Sequence, residues 1–167
     1  MPDASTQVTI YTDGACLGNP GPGGFGVVLI SGTHRKELAG GYRKTTNNRM
    51  ELMGAIVALR SLKHRCIVTL HTDSRYVADP MTNGRAKVWR AKGWMRTRKE
   101  PAKNADLWAQ LLEEAEKHDV TFQWVRGHAG NKENERCDAL SVAAANEKDM
   151  PADEAFEEGA TRGEGLF

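Results

Sequence analysis

YTDGACLGNPGPGGFG, running from Tyr11 through Thr12, Asp13, Gly14, Ala15, Cys16, Leu17, Gly18, Asn19 and Pro20 to Gly26, carries an apolar segment into a run of glycines. Two chemistries compete for such a stretch. A phosphate-cradling P-loop reads GxxxxGK[ST] and enters a helix. Here no Lys-Ser or Lys-Thr follows, and the next residues, Phe25 to Ile30 (FGVVLI), are apolar and β-branched. That run reads as a strand, so a dinucleotide fingerprint, which also needs a helix next, fails with the P-loop. The glycines and prolines are expected to set the turn between two strands, with Asp13 at the end of the first. Why an aspartate sits there decides the rest of the reading.

Outward from that stretch the pattern alternates between strand and helix signals. Gln7 to Thr12, Phe25 to Ile30 and His34 to Gly41 read as a three-stranded meander. Thr46 to Arg65 carries Leu52, Ile56 and Leu59 beside Met53 and Val57, an amphipathic helix with Asn47 or Asn48 as its cap. Cys66 to Thr72 is a fourth strand, and Asp73-Ser74 opens a short helix that Pro80 should end. Asn104 to Trp108 starts a helix faced by Leu107, Trp108, Leu111 and Leu112. Val120 to Val125 is a last strand and Glu133 to Asn146 a last helix. Trp108 and Trp124 read as core. The order implies an α/β domain with a mixed sheet, antiparallel first and parallel later, and helices on both faces.

Bulk composition bounds the function classes. The chain has 167 residues, 40% of them apolar, which suits one domain with an ordinary core. No apolar run approaches the roughly 18 residues of a membrane span, and MPDASTQVTI lacks the basic and apolar regions of a signal peptide. Cys16, Cys66 and Cys137 form no CxxC and read as reduced thiols in a cytoplasmic protein. The net charge of +1 hides a division. From Arg85 to Lys103, eight Lys/Arg face one acidic residue, Glu100; from Glu147 to Phe167, seven acidic residues face two basic ones. The first segment suggests a polyanionic partner. The second, poor in apolar residues after Pro151, is expected to be a disordered tail.

Four carboxylates occupy matching places in this layout. Asp13 ends the first strand, Glu51 lies in the first turn of the first long helix, Asp73 ends the fourth strand, and Asp138 lies in the first half of the last helix. Each has a plain alternative: a turn pair for Asp13-Gly14, dipole complementation for Glu51, a cap for Asp73, pairing with Arg136 for Asp138. Gathered together they need cations, and two Mg²⁺ or Mn²⁺ ions would balance the charge with the oxygen ligands such hard ions prefer.

YTDGACLGNPGPGGFG, TTNNRMEL, HTDSRYV, GWMRTRKEPAKNADLW and WVRGHAGNKENERCDAL stand in this order between about Val8 and Ala145. Together they resemble bacterial ribonuclease H of type 1. The resemblance implies the ribonuclease H-like fold, a five-stranded mixed sheet with flanking helices. It implies endonucleolytic hydrolysis of the RNA strand of RNA–DNA hybrids by a two-metal-ion mechanism, leaving 5′-phosphate and 3′-hydroxyl ends. It makes Asp13, Glu51, Asp73 and Asp138 the catalytic metal ligands, for two Mg²⁺ ions with Mn²⁺ able to substitute. His128 in the GHAGN loop becomes the catalytic histidine, for proton shuttling or product release, a role that suits imidazoles.

A hybrid offers 2′-hydroxyls and groove shape, not a fixed base sequence. By resemblance Cys16, Asn19, Thr46, Asn47, Asn48 and Arg75 are substrate contacts; Arg75 stands where the family pattern has glutamine. The Arg85–Lys103 segment matches the family's basic protrusion, with Lys87, Arg90 and Lys92 expected on DNA-strand phosphates. Trp89 and Trp94 belong to the same substrate-binding element, although their residue type favours packing of the protrusion over base stacking. Around Asp79-Pro80 and Thr82-Asn83-Gly84 the spacing is one residue longer than expected. The expected organisation is a catalytic domain over 1–148, with the protrusion at about 84–103, and an acidic tail over 149–167, open to an unidentified partner. A cytoplasmic monomer with no membrane contact completes the expectation.

Overall fold

Three strands come first, and each outruns its apolar core. In the computed structural model, which describes residues 6–95 and 97–165, β1 spans Gln7–Cys16, β2 Gly21–Ser31 and β3 His34–Thr45. Asp13 therefore lies inside β1, opposite Gly26 of β2, and not at a strand end. The turn between them is only Leu17 to Pro20, closed by Leu17 N–H donating to Pro22 O at 2.7 Å. With β4 (Ile67–Thr72) and β5 (Asp119–Trp124) the sheet runs β3-β2-β1-β4-β5. The first three strands pair antiparallel, and β1-β4 and β4-β5 pair parallel. This is the expected mixed five-stranded sheet.

Helices cover both faces. Helix α1 (Asn47–Arg60) packs on β1 to β3 and on α4 (Ala105–Glu116), while α5 (Lys132–Ala145) covers the same strands from behind. The glycines of the opening stretch explain this closeness. A Cβ on Gly24 would stand 2.4 Å from Ser141 O, and one on Gly26 2.4 Å from Cys137 O, both on α5. Glycine inside a strand marks such close backbone approach. Gly24 and Gly26 are thus strand residues that admit a helix, and the expectation that they set the turn is corrected, whereas Gly21 does lie against the turn, where a Cβ would meet Leu17 O. Between α1 and the sheet lie Ile10, Val27, Leu52, Ile56, Leu59, Leu70, Trp108 and Leu111, all fully buried. Each such aliphatic side chain contributes about 1.5–3 kcal/mol of burial.

Other boundaries shift for local reasons. Thr46, not Asn47 or Asn48, caps α1: its Oγ1 accepts from Arg49 N–H at 3.2 Å. The helix stops at Arg60, five residues before the expected end, and Glu51 falls beyond its first turn. Ser74 caps α2 (Arg75–Thr82), and Pro80 lies inside that helix. The proline ring is buried, and the ladder resumes with Asn83 N–H donating to Asp79 O at 2.9 Å. Asn83-Gly84, with Gly84 at φ +82°, then turns the chain into α3 (Arg85–Ala91).

The expectation of a disordered tail is also corrected. Arg43 N–H donates to Pro151 O at 2.9 Å, Asp153 is buried, and α6 (Glu154–Gly165) packs on β3. Few apolar residues are needed there, because Arg43 and Arg49 hold this segment through Glu157 and Asp153. Arg96 of the basic segment and the last two residues of the expected tail lie outside the described residues. Among the described residues no helix is long and apolar enough to cross a membrane.

Candidate active site

The two central parallel strands bring the site together. Asp13 lies inside β1, one residue past the stretch that pairs with β4, and Asp73 directly follows β4, its neighbour. On one face α1 presents Glu51; on the other, the close approach at Gly24 and Gly26 lays α5 against β2 and presents Asp138. Single carboxylate oxygens of Asp13, Glu51 and Asp73 lie within 4.8 Å of one another. Asp138 lines the same cleft, of about 310 Å³, with Gly14, Asn47, Ser74 and His128. Arg136 does not pair with Asp138; it bonds Glu37 through Nε at 2.8 Å.

Electrostatics mark this cluster as incomplete without counter-charge. Burial, then the Asp73 charge, push the Asp13 carboxyl up to about 7, and Asp138 adds to the shift. Burial and the Asp13 charge raise Glu51 well above the usual carboxylate range. Gly14 N–H donates to Asp13 Oδ1 at 2.9 Å and to Glu51 Oε1 at 3.1 Å, which offsets only part of that cost. Glu51 Oε2 is buried with no hydrogen-bond partner. Clustered hard oxygen donors, one of them orphaned, are what a divalent cation needs. The residues fit such an ion.

Around the carboxylates, backbone geometry keeps space open. A Cβ on Gly127 would stand 2.8 Å from Asp73 Oδ2, so only glycine leaves that carboxylate free. Next to it His128 is exposed and left-handed, at φ 55°, a conformation that costs a non-glycine residue about 1 kcal/mol and concentrates at functional sites. Trp124, half-buried and not core as expected, donates Nε1–H to Asp73 O at 3.0 Å. The Arg75 guanidinium lies 3.9 Å over the Trp124 ring. Arg75 thus flanks the cleft from the α2 side.

A family model for RNase H matches residues 5–146. This chain belongs to the RNase H family. It is 60% identical over 154 residues to a ribonuclease H of Syntrophus aciditrophicus, covering 92% of this chain and 89% of that one. Its fold is similar to that of LC9-RNase H1, a type 1 RNase H with the type 2 active-site motif, with TM-score 0.76 and 34% identity over 87% of this chain and 74% of that one. It is similar also to LC11-RNase H1 in complex with RNA/DNA hybrid, with TM-score 0.63 and 26% identity over 83% of this chain and 96% of that one.

Within this RNase H the expected contact residues fall into two groups. Beside the cleft, Asn47 N–H donates to Asn19 Oδ1 at 3.1 Å, and the Cys16 thiol points at Gly18 O (2.9 Å), Gly21 O (3.4 Å) and Thr45 O (3.5 Å). The β1–β2 turn and the start of α1 are thereby tied together, with Thr46, Asn47 and Asn48 at the junction. Farther off, the basic segment is helical, among the described residues, only over α3, and Met95 bridges Pro101. Trp89 meets Trp108 edge-on at 5.6 Å, and Trp94 N–H donates to Trp89 O at 2.7 Å. Both tryptophans pack against the core, in keeping with the packing alternative. Arg90 is held by Glu116 at 2.7 and 2.9 Å, whereas Lys87 and Lys92 are exposed.

Sequence reasoning missed Arg49 and Asp153. Arg49 is 4% exposed and bonds Asp106 and Asp153 at 2.7 Å each. A buried arginine inside TTNNRMEL was visible as an interruption of the helix's apolar face. Asp153 had no local signal, because its partners lie about a hundred residues away.

Proposed function

We propose that this protein is an endonuclease that hydrolyses the RNA strand of RNA–DNA hybrids, leaving 5′-phosphate and 3′-hydroxyl ends. The observation that carries the reading is the meeting of Asp13, Glu51 and Asp73 from distant segments, within 4.8 Å, in a chain of the RNase H family. Asp13, Glu51, Asp73 and Asp138 would hold Mg²⁺, or Mn²⁺ in its place, two ions per site during catalysis. When bound, such ions supply Lewis-acid activation of the attacking water and neutralise charge on the departing oxygen. His128, exposed at the cleft, serves proton shuttling or product release.

Recognition divides by strand and chemistry. Cys16, Asn19, Thr46, Asn47, Asn48 and Arg75 read sugar hydroxyls and minor-groove edges beside the carboxylates. Lys87, Arg90 and Lys92 meet phosphates of the DNA strand, with Trp89 and Trp94 seating the element that carries them. The catalytic body is 1–148. We take the enzyme to act as a monomer in the cytoplasm, where Cys16, Cys66 and Cys137, all unpaired, would stay reduced.

A competition experiment tests this. Labelled hybrid, double-stranded DNA and double-stranded RNA are incubated with the chain and Mg²⁺. Cleavage of hybrid RNA alone is expected; cleavage of either homoduplex at a comparable rate overturns the reading.

A further inference from the structure

The segment after Glu147 reaches the hybrid-contacting turn. Asp153 is 7% exposed, and its carboxylate grips both flanks of Thr46. Its Oδ2 accepts from Thr45 Oγ1 at 2.7 Å and from Arg49 Nε at 2.7 Å, and Oδ1 accepts from Arg49 Nη2 at 3.0 Å. Between those flanks Thr46 caps α1, and Asn47, which lines the carboxylate cleft, follows it directly. Arg43 seats the segment further: its N–H donates to Pro151 O at 2.9 Å, and its guanidinium makes three hydrogen bonds to Glu157 at 3.0–3.2 Å.

This arrangement is more than a clasp for stability. Arg49 already has Asp106 at 2.7 and 2.9 Å and Asn104 Oδ1 at 3.2 Å. Asp106 is exposed, whereas the second carboxylate, Asp153, is buried and brings its own desolvation cost, which offsets most of the attraction it gains. The well-attested use of buried charge is to select one arrangement among several. Here the arrangement selected is the path of Thr45 to Asn48. That turn is also held at its start by the pairing of Thr45 with Gly21 of β2, by the Thr46 cap on Arg49 N–H, and across to the β1–β2 turn by Asn19 Oδ1 on Asn47 N–H and Cys16 Sγ on Thr45 O. Among these contacts Asp153 alone joins Thr45 to the Arg49 side chain. Glu51 is fixed separately, by Gly14 N–H and by the fully buried Met50 and Leu52 on either side.

We propose that Asp153 is a positioning residue for hybrid binding: through Thr45 and Arg49 it holds the Thr46–Asn48 turn in the shape that meets the minor groove. The inference rests on the assignment of Thr46, Asn47 and Asn48 to hybrid contacts. A turn already in place avoids the ordering cost that side chains otherwise incur on binding. Losing Asp153 therefore weakens substrate binding and leaves the chemical step alone.

The test uses the full chain with Asp153→Asn and, separately, Thr45→Val, which keeps the Arg49–Asp153 pair. Steady-state KM and kcat are measured on a labelled RNA–DNA hybrid, with thermal melts of the same samples. For Asp153→Asn, KM is expected to rise about fivefold, the equivalent of about 1 kcal/mol, with kcat within about twofold of the unaltered chain. Thr45→Val should raise KM about threefold with little change in melting. Asp153→Glu, which retains the charge, should recover part of the loss. Lower melting with unchanged KM, or a fall in kcat alone, overturns the inference while the unaltered chain still cleaves hybrid. If the unaltered chain cleaves no hybrid, the functional reading falls first and this inference with it. Should Asp153→Asn fail to fold, Thr45→Val decides alone: an unchanged KM overturns the proposal.

Discussion

Asp13→Asn should destroy activity and yet make the metal-free protein more stable. The Asp13 carboxyl is pushed from 3.8 to about 7, first by burial and then by Asp73. A shift of about three units corresponds to a ceiling of about 4 kcal/mol, at 1.36 kcal/mol per unit. The sign follows from proton linkage. The folded chain holds this proton more tightly than the unfolded chain. The group's contribution to stability is therefore full below about pH 4 and is lost as pH rises through about 7. Asparagine removes the charge and keeps an Oδ1 for Gly14 N–H, now 2.9 Å away. It also removes the repulsion that raises Glu51. Because the groups share a site, about 2 kcal/mol of net gain is expected near pH 8. That corresponds to a rise of about 4–8 °C in Tm for a chain of this size. Melts followed by circular dichroism in EDTA read the difference directly. The gap between variant and unaltered chain should narrow as pH falls toward about 4. Added Mg²⁺ should raise the melting of the unaltered chain more than that of the variant. A lower Tm for Asp13→Asn near pH 8 in EDTA, or a gap indifferent to pH, refutes the reasoning.

Four further variants probe other parts of the molecule. Gly26→Ala would put a Cβ 2.4 Å from Cys137 O; pushing α5 off β2 should cost about 1–3 kcal/mol and lower kcat by moving Asp138, read by melts and turnover. Arg49→Ala leaves Asp153 buried without its guanidinium; a loss of about 3–5 kcal/mol is expected, measured by denaturant unfolding. Replacing Lys87 and Lys92 together by alanine should flatten the log–log salt dependence of hybrid binding, by up to about 0.9 in slope for each phosphate no longer neutralised. Arg90→Ala should do less, since Glu116 already holds that guanidinium at 2.7 and 2.9 Å.

Local signals in the chain reach far, and their failures have physical causes. β-branched runs marked the strands, and the spacing of Leu52, Ile56 and Leu59 marked α1. Gly24 and Gly26 looked like turn residues because turn formation is a local property. Their service to α5 is an approach between segments more than a hundred residues apart in the chain, and nothing nearby reports it. Thr46 outcompeted two asparagines as a cap because Asn47 and Asn48 were already inside the first turn. The acidic tail read as disordered from its composition, which counts apolar residues and ignores ion pairs with distant arginines. The carboxylates were legible by their types and positions, together with the motifs around them. Their mutual approach, and the burial that raises Asp13 and Glu51, appear only once β1, β4 and α1 are assembled.

The most direct test of the central claim is the fate of an internally labelled hybrid of fixed length. The RNA strand should be cut at internal positions when Mg²⁺ is present, with fragments ending in 3′-hydroxyl and beginning with 5′-phosphate, and should survive intact in EDTA or with Asp13→Asn. Undiminished cleavage in EDTA, or fragments ending in cyclic phosphate, would contradict a site built from carboxylates and divalent cations.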